Sequence, residues 1–441
     1  MSGTLCSRKT IYFLGYQIEK LTFGWPQAIN IQQTDLMKFT RLDFFKALSL
    51  LPLAGLSLRS QTSRAAVKVD ESRQSRFEPW IEIYPENMRN NVRQLHKAVE
   101  HRPIMAVIKN NGYGMGVVNS ARILESMDEI EGLAVVKLSE AITLREAGIT
   151  KPLLLMNLCE GEELEEAVSR DITPMVYTRI GEQFQQLSRK FEKTIPVEVK
   201  LDTGLGRIGL RENEAADVYK DLTERSGVKI QGSLITFTEA REFDEDVMQR
   251  YIRLTDRLKE QGMDPGRRHV ASTTPIFRHP EAYFDMVRPG IGLYGIYPQP
   301  DQQREKELMD LKPAFGLKCR VIHVKQLKKG ETAGYGQAFE AEENTWMATL
   351  PVGHADGWQR SAAGCARVRI KDRLYPVVGT VSASHTLVDL GSETEVAAGD
   401  EATIFDDREG SRPDDINIAC DTSTYDLTMH LSPSINRIVK E

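Results

Sequence analysis

A regular alternation of short apolar runs with helical stretches, beginning at Trp80, constrains the fold of this 441-residue chain more than any other feature. The apolar runs are Ile104–Ile108, Leu133–Val136, Leu153–Met156, Pro174–Tyr177 and Val197–Leu201. Each run is followed by a segment with helical spacing or turn residues, an order that is typical of parallel βαβ units. Because about 220 residues of such units suit a (β/α)8 barrel, we predict this α/β fold for residues 76–300.

The pattern changes after Tyr297, where a polar, proline-bearing segment interrupts the alternation. Beyond it, β-branched and polar residues alternate in the runs Arg320–Val324, Ala366–Ile370 and Tyr375–Gly379. Turn residues separate these runs, and the combination is typical of antiparallel strands. We therefore predict a mainly antiparallel β domain over residues 301–441.

Composition excludes several classes of protein. The chain is 41% hydrophobic and 27% charged, which rules out global disorder. Its 57 Lys and Arg against 63 Asp and Glu give a net charge of −6, which argues against a nucleic-acid partner. The five cysteines form neither a CxxC pair nor a cluster with histidines, so the sequence offers no metal site.

The first 75 residues do not resemble a folded domain. A basic segment after Met37 precedes the apolar stretch Ala47–Leu58, and a polar stretch rich in small residues follows. We predict an export signal and linker over residues 37–75, hence a periplasmic or otherwise exported chain, with residues 1–36 a doubtful upstream extension. The segment resembles a twin-arginine signal in which Leu42 replaces the second arginine. An ordinary amphipathic helix, and hence a cytoplasmic chain, is the alternative.

Lys109 is the first candidate catalytic residue. It follows an apolar strand directly and opens a glycine-bearing loop, Lys109–Gly116. Barrel enzymes keep their catalytic groups at the carboxyl ends of the strands. A lysine at such a position can form a Schiff base, and desolvation lowers its pKa enough to make it a base. A surface lysine at a strand end is the alternative explanation.

The segment around Lys109, Ala106–Gly114, resembles the pyridoxal-phosphate lysine motif of alanine racemases. Five further segments match that family in the same order: Trp80–Ile83, Lys200–Gly209, Asp285–Gly295, Gly334–Gly336 and Gly353–Gly357. The resemblance covers residues 80–441 and is carried by an ordered series of motifs, so we identify the chain as a member of this family. It implies a racemase that uses pyridoxal 5'-phosphate to interconvert L- and D-alanine.

The resemblance implies two catalytic bases. Lys109 would bind the cofactor and act on one face of the substrate, and Tyr335 of the β domain would act on the other. Arg207 would lie close to Tyr335, where a fixed positive charge lowers the pKa of a phenol. Family members complete each site with the β domain of a second copy, so a homodimer with shared sites is implied.

The resemblance also implies the residues that hold the cofactor. Arg288 would face the pyridine nitrogen, and because it stays protonated it leaves the ring a weaker electron sink. An arginine in a buried salt bridge is the alternative. The positions that match the phosphate site are Tyr113, Thr273, Gly290, Ile291 and Tyr425. Lys200 matches a lysine that many relatives carry carbamylated, and an unmodified lysine paired with an acid is the alternative.

Four departures from the family pattern affect the substrate and cofactor sites. Thr236 replaces a histidine beside the cofactor ring, and Ser272-Thr273 replaces Asn-Ser. At the substrate positions, His354 replaces a tyrosine of the gate, and Ala383-Ser384 replaces the Met-Asp of alanine-specific relatives. The small pair would open the pocket, so a broad-specificity racemase for basic and long-chain amino acids is the alternative function.

Two further hypotheses come from other classes. A related decarboxylase would use a carboxy-terminal cysteine in an acidic motif, for which Cys420-Asp421 is a superficial match. A cofactor-binding homologue without turnover would explain the departures, but the retained Lys109 and Tyr335 argue against it. If the chain is a racemase, its partners are a small amino-acid substrate and a second copy, and its D-amino acids would serve peptidoglycan.

Overall fold

The computed structural model describes residues 76–298, 303–423 and 425–441. The predicted upstream extension, residues 1–36, and the predicted export signal and linker, residues 37–75, lie outside the described residues. Within the described ranges, no helix has both the length and the apolar character that crossing a bilayer requires.

Seven strands of the described chain form one parallel sheet, and their spatial order follows the chain order. They are β2 (Ile104–Val107), β3 (Ile130–Val135), β4 (Leu153–Leu155), β5 (Ile172–Val176), β6 (Ile195–Lys200), β7 (Val228–Leu234) and β8 (Arg267–His269). Most of their residues are buried, because the sheet is curled with side chains filling its interior and helices covering its outside. The predicted alternation of strands and helices is confirmed.

An extended segment at residues 285–289 closes the barrel between β8 and β2. On one side, the amides of Met105 and Val107 donate to its carbonyl groups at 2.9 Å each. On the other side, the amide of Arg288 donates to the carbonyl of Ala271, next to β8, at 2.7 Å. The segment therefore occupies the eighth position of the predicted (β/α)8 barrel.

Helical segments connect the strands; most of them pack on the outside of the barrel, and the two short ones that begin at Lys109 and Thr273 lie at its mouth. They are α1 (Pro85–Ala98), α2 (Lys109–Tyr113), α3 (Val117–Glu125), α4 (Leu138–Glu146), α5 (Gly161–Ser169), α6 (Gly181–Phe191), α7 (Glu212–Thr223), α8 (Arg241–Glu260) and α9 (Thr273–Arg278). In α6, for example, Phe184 and Leu187 are buried while the intervening residues are polar. The three-residue spacing places these apolar side chains on one face, which packs against the sheet.

A second sheet of nine strands follows in the described part of the chain, in the order β10-β13-β16-β15-β14-β17-β9-β1-β18, where β1 is Trp80–Ile83. The later strands are β9 (Phe315–Arg320), β10 (His323–Leu327), β13 (Thr345–Leu350), β14 (Arg367–Ile370), β15 (Arg373–Val378), β16 (Thr386–Gly391), β17 (Glu401–Phe405) and β18 (Asn436–Val439). Two short strands, β11 (Thr332–Ala333) and β12 (Phe339–Glu340), form a separate hairpin. The predicted antiparallel β domain is confirmed, with one parallel pair, β1 with β18.

The first strand, β1 (Trp80–Ile83), belongs to this second sheet although the predicted boundaries group it with the barrel. It pairs antiparallel with β9 and parallel with β18. The barrel is already closed by the segment at residues 285–289 and offers β1 no free edge, and Ile81 and Ile83 of β1 are completely buried. The described residues from 76 onward form one compact unit.

Cys365 and Cys420 form a disulfide, a pairing that the sequence left open. A short helix, α10 (Gln303–Leu308), precedes β9. Cys420 is the last residue of α11 (Pro413–Cys420), which is followed by the short helix α12 (Asp426–Met429). The bond therefore fixes the beginning of the segment that leads to α12. Cys159 and Cys319 are buried free thiols.

Candidate active site

A cavity of about 410 Å³ opens at the carboxyl ends of the barrel strands. Ten of the residues that line it are predicted site residues: Lys109, Tyr113, Arg207, Thr236, Ser272, Thr273, Arg288, Gly290, Ile291 and Tyr425. Lys109 follows β2, Thr236 follows β7, and Ser272 follows β8, so the sheet itself brings together side chains that are far apart in the sequence. Tyr425 reaches the cavity from the segment after α11.

Lys109 begins the short segment α2, whose following residues form a left-handed turn and not a regular α-helix. Asn110, Asn111, Gly112 and Tyr113 all have φ between 51° and 61°. Glycine and asparagine adopt this conformation more readily than other residues, whereas for Tyr113 it is unfavourable, so surrounding contacts must hold it there. Because of this turn, Lys109 and Tyr113 both line the cavity, although three residues separate them in the sequence.

The surroundings of Lys109 favour its neutral form. Burial lowers the pKa of its amine, the positive charge of Arg207 lowers it further, and Glu140 opposes both effects. A lysine with a lowered pKa has a larger share of neutral amine near pH 7, and only the neutral amine is a nucleophile or a base. Arg207 is itself exposed, on the loop between β6 and α7.

Arg288 lies at the floor of the cavity and is 4% exposed. Its guanidinium donates to the carbonyl of His269, and to that of Ile235 at 2.7 Å. Burial lowers its pKa to about 10, so the group is still charged near neutral pH. Among the described residues Arg288 forms no ion pair with an acid, and the alternative of a buried salt bridge is therefore not seen.

Lys200, at the end of β6, is buried beside the cavity floor. Its amine donates to the hydroxyl of Thr236 at 3.0 Å. Burial lowers the pKa of this amine well below its usual value, and the charges of Arg288 and Arg207 lower it further. The alternative from the sequence required an acid paired with Lys200. In the part of the chain that the structure describes, Lys200 forms no such pair.

Hydroxyl groups and backbone amides form one wall of the cavity. The hydroxyl oxygen of Thr273 accepts from the amides of Gly290 and Gly292 at 3.0 and 3.3 Å. A Cβ on Gly290 would overlap the hydroxyl of Tyr113, so only glycine allows this close approach. A wall of neutral donors at the start of short helices suits a phosphate group, because amides and hydroxyls can satisfy its oxygens.

The other predicted site residues lie outside this cavity, on the surface of the β domain. Tyr335 is 76% exposed and lies in a shallow groove with Ser382 and His385. The amides of His354 and Ala355 donate to the carbonyls of Ser382 and Ala383, both at 3.0 Å. We call the exposed residues Tyr335, His354, Ala383 and Ser384 the surface cluster. Within one chain, the predicted site residues therefore form two separate groups.

Sequence reasoning missed several residues that line the cavity: Val107, Val136, Met156, Met175, Glu239 and Met429. Val136 and Met156 are each the first residue after a strand, β3 and β4, so the barrel prediction carried a signal for both. No comparable signal exists for Met429, because α12 reaches the barrel only through the packing of the folded chain.

Known protein families match almost the whole described chain. The model of the alanine racemase N-terminal domain matches residues 83–298, and that of the C-terminal domain matches residues 314–439. An alanine racemase of Clostridium tetani is 31% identical over 368 residues, which cover 81% of this chain and 94% of that protein. The chain belongs to the alanine racemase family. The resemblance seen in the sequence is confirmed.

Further members of the alanine racemase family support this assignment. An alanine racemase of Desulforamulus reducens is 35% identical over 333 residues, 74% of this chain and 89% of that protein. The solved alanine racemase of a D-cycloserine-producing Streptomyces lavendulae has a TM-score of 0.77 and 28% identity, covering 83% of this chain and 98% of that one. The solved alanine racemase of Clostridium difficile has a TM-score of 0.76 with 28% identity, covering 83% of this chain and 97% of that one.

Proposed function

We propose that this chain is a pyridoxal-phosphate-dependent racemase that interconverts L- and D-alanine. The observation that carries the proposal is the cavity at the barrel mouth, where Lys109, with a lowered pKa, faces the same space as Arg288 and the hydroxyl wall. Relatives over most of the chain are named alanine racemases.

The residues present fit the cofactor. The cavity, about 410 Å³, lies in the range of small-molecule sites. Lys109 would hold the cofactor through its amine and Arg288 would face the ring nitrogen. The phosphate would lie against Tyr113, Thr273 and the other residues of the hydroxyl wall. When bound, pyridoxal phosphate supplies an electron sink that stabilises negative charge at the substrate α-carbon.

Lys109 would take or return a proton on one face of the α-carbon. Burial and the charge of Arg207 favour its neutral form, which is the form that accepts a proton. Arg288 remains positively charged at neutral pH and donates to backbone carbonyls, so it is held in place but gives no proton to the ring. An arginine at this position would leave the ring a weaker electron sink and so limit side reactions.

Racemisation needs a second base on the opposite face, and we assign this role to Tyr335. Its hydroxyl is on the exposed surface cluster and does not line the cavity of its own chain. We therefore propose a homodimer in which the surface cluster of one copy closes the cavity of the other. Arg207, exposed at the rim of the cavity, would then face the phenol.

Alanine is favoured as the substrate over larger amino acids. The relatives named above are all alanine racemases, which counts against the broad-specificity hypothesis based on Ala383 and Ser384. The decarboxylase hypothesis needs a reactive thiol at Cys420, but this sulfur is bonded to Cys365. A homologue without turnover has no need of a lysine with a lowered pKa in the cavity.

We also propose that the chain is exported and supplies D-alanine to peptidoglycan. The basic and apolar segments after Met37 support export, although they lie outside the described residues. The Cys365–Cys420 disulfide supports it as well, because such bonds persist in oxidising compartments and are rare in the cytosol. Fractionation of cells, with the disulfide state of each fraction measured, tests this assignment.

The test of the proposed reaction is exchange of the α-proton in D₂O. The full chain with bound pyridoxal phosphate is incubated with L-alanine, L-methionine, L-lysine and L-arginine, and deuterium incorporation is followed by NMR. We expect alanine to exchange fastest. Faster exchange of lysine or arginine would establish the broad-specificity function, and no exchange of any substrate would favour a cofactor-binding homologue.

A further inference from the structure

A buried carboxylate that the proposed reaction does not use lies beneath the turn after Lys109. Glu140, in the first turn of α4, is 8% exposed. One of its carboxylate oxygens, Oε1, accepts a hydrogen bond from the amide of Asn111 at 2.7 Å. The other oxygen, Oε2, has no hydrogen-bond partner among the described residues. A buried carboxylate with an unpartnered oxygen is unfavourable unless a positive charge is close to it.

Glu140 bonds to the residue that organises the left-handed turn. The carbonyl of Asn111 accepts from the amide of Gly116 at 2.8 Å. The side-chain oxygen of Asn111 accepts from the amide of Val117, the first residue of α3, at 3.1 Å. With the bond from its own amide to Glu140, Asn111 is fixed at three points. Because Asn111 is two residues from Lys109, these contacts set the direction in which the lysine leaves β2.

Several titratable or charged groups surround the Lys109 amine. The positive groups around the cavity are Arg207, Lys200 and Arg288; the carboxylates are Glu239 and Glu140; and the phenols are Tyr113 and Tyr425. Glu239 is at the exposed rim and accepts from the hydroxyl of Thr274. Glu140 is therefore the buried carboxylate on the side of the lysine turn.

We propose that Glu140 is the positioning residue of Lys109. One carboxylate oxygen accepts from the Asn111 amide and so holds the turn that directs the lysine into the cavity, while the buried carboxylate keeps a negative charge beneath that turn. This deepens the proposed function and rests on it in one respect, because it takes Lys109 as the amine that holds the cofactor. The charge of Glu140 offsets part of the effect of Arg207, so that the lysine does not lose its proton too readily.

Two substitutions separate the two roles. Glu140→Gln keeps the shape and an acceptor for the Asn111 amide but removes the charge, whereas Glu140→Leu removes both. The matched control is Glu146→Gln on the same helix, where the glutamate side chain is 62% exposed and 3.6 Å from Arg170. Each full-length chain is freed of cofactor, and labelling of Lys109 by trinitrobenzenesulfonate is followed against pH by peptide mass spectrometry.

We expect Glu140→Gln to lower the pH midpoint of Lys109 labelling by about one unit, because the amine loses a negative neighbour. We expect Glu140→Leu to weaken binding of pyridoxal phosphate, measured by equilibrium dialysis, at least about tenfold because the turn is no longer held. Glu146→Gln should change neither quantity. Thermal unfolding of each chain shows whether a variant is folded under the conditions of the assay.

The proposal is overturned if Glu140→Gln and Glu146→Gln have the same labelling midpoint as the unchanged chain. It is also overturned if folded Glu140→Leu binds pyridoxal phosphate with unchanged affinity. Neither measurement uses turnover. A chain that exchanges no substrate proton would therefore refute the proposed function while leaving the result for Glu140 readable.

Discussion

The barrel cavity and the surface cluster contain the two halves of the predicted catalytic machinery, and they differ in how far one chain completes them. In the cavity, burial and neighbouring charges change the pKa of Lys109, Lys200 and Arg288. In the surface cluster, Tyr335 and its neighbours face solvent. A barrel can build a cofactor site from its own strand ends, whereas a base on the opposite face of the substrate must come from a different surface.

The largest effect should follow from removing Lys109. We expect Lys109→Ala to reduce α-proton exchange of alanine at least about 10³-fold, because both the attachment of the cofactor and one base are lost. Lys137→Ala is the matched control, because Lys137 follows β3 at the same spacing at which Lys109 follows β2, but is exposed. A loss of similar size in both variants would show that the cavity is not the active site.

Mixing two inactive variants tests whether the two regions meet across a dimer. Lys109→Ala and Tyr335→Phe should each be nearly inactive alone. If copies exchange, hybrid dimers contain one site with both intact residues, and turnover should recover to about a quarter of the unchanged protein. The recovery is measured by proton exchange after unfolding and refolding the two variants together, with each variant refolded alone as the control. No recovery, despite dimers in solution, would contradict shared sites.

The sequence predicts the residues of the barrel cavity better than it predicts the contacts between distant segments, such as the pairing of β1 and the disulfide. Short apolar runs place Lys109 at a strand end, and the parallel sheet then brings Thr236 and Ser272 to the same rim without further information. The joining of β1 to the second sheet could not be foreseen, because a strand of only four residues fits either sheet. The Cys365–Cys420 pairing depends on tertiary distance, which spacing does not reveal.

The exposure of Tyr335 in one chain shows a second limit of prediction from sequence. A motif identifies the residue type and its place in the sequence, but whether it lines the cavity depends on a surface that the chain itself does not cover. The left-handed turn after Lys109 and its contact with Glu140 could not be predicted either, because nothing in the sequence pattern of this helix marks its glutamate as buried.

Breaking the Cys365–Cys420 disulfide should have the next largest effect, because this bond fixes the segment that brings Tyr425 and Met429 to the cavity. The bond spans 55 residues, and its loss should lower the free energy of unfolding by about 2–4 kcal/mol. The measurement is urea unfolding with and without a reductant, together with the affinity for pyridoxal phosphate.

Cys365→Ser/Cys420→Ser provides the control for this experiment. A reductant should destabilise the unchanged chain but leave the double variant as it is, since Cys159 and Cys319 are already free thiols. Unchanged cofactor affinity after reduction would show that packing alone, such as the contact of Gln359 with Thr422 at 3.2 Å, fixes the segment.

The small residues of the surface cluster should affect substrate choice more than rate. We expect Ala383→Met/Ser384→Asp to leave exchange of alanine within about threefold and to reduce exchange of lysine and methionine about tenfold, since differences of this size in a pocket are worth about 1–3 kcal/mol. Ser392→Asp, in the exposed turn after β16, adds the same charge away from the cluster. An equal fall for all substrates would place the pair outside the substrate pocket.

The smallest effect on turnover is expected from substitution of Lys200, a residue of the barrel cavity. A neutral amine reacts with carbon dioxide to give a carbamate, with loss of one proton. The lowered pKa of Lys200 supplies the neutral form, and the charges of Arg207 and Arg288 favour an anion there. We expect the native mass to exceed that of the sequence by one carbon dioxide at this residue, and Lys200→Met to reduce turnover about tenfold or less, because Arg207 loses an anionic neighbour.

If the mass is that of the sequence alone, the unmodified amine bonded to Thr236 is the working state, and the effect on stability then has a definite sign. The unfolded chain binds a proton at Lys200 up to a pH near the ordinary lysine pKa, whereas the folded chain releases it at a much lower pH. Stability should therefore rise with pH between the folded and unfolded pKa values. Lys200→Met should flatten that rise in urea unfolding measured across pH, and an unchanged slope would show that other buried groups produce it.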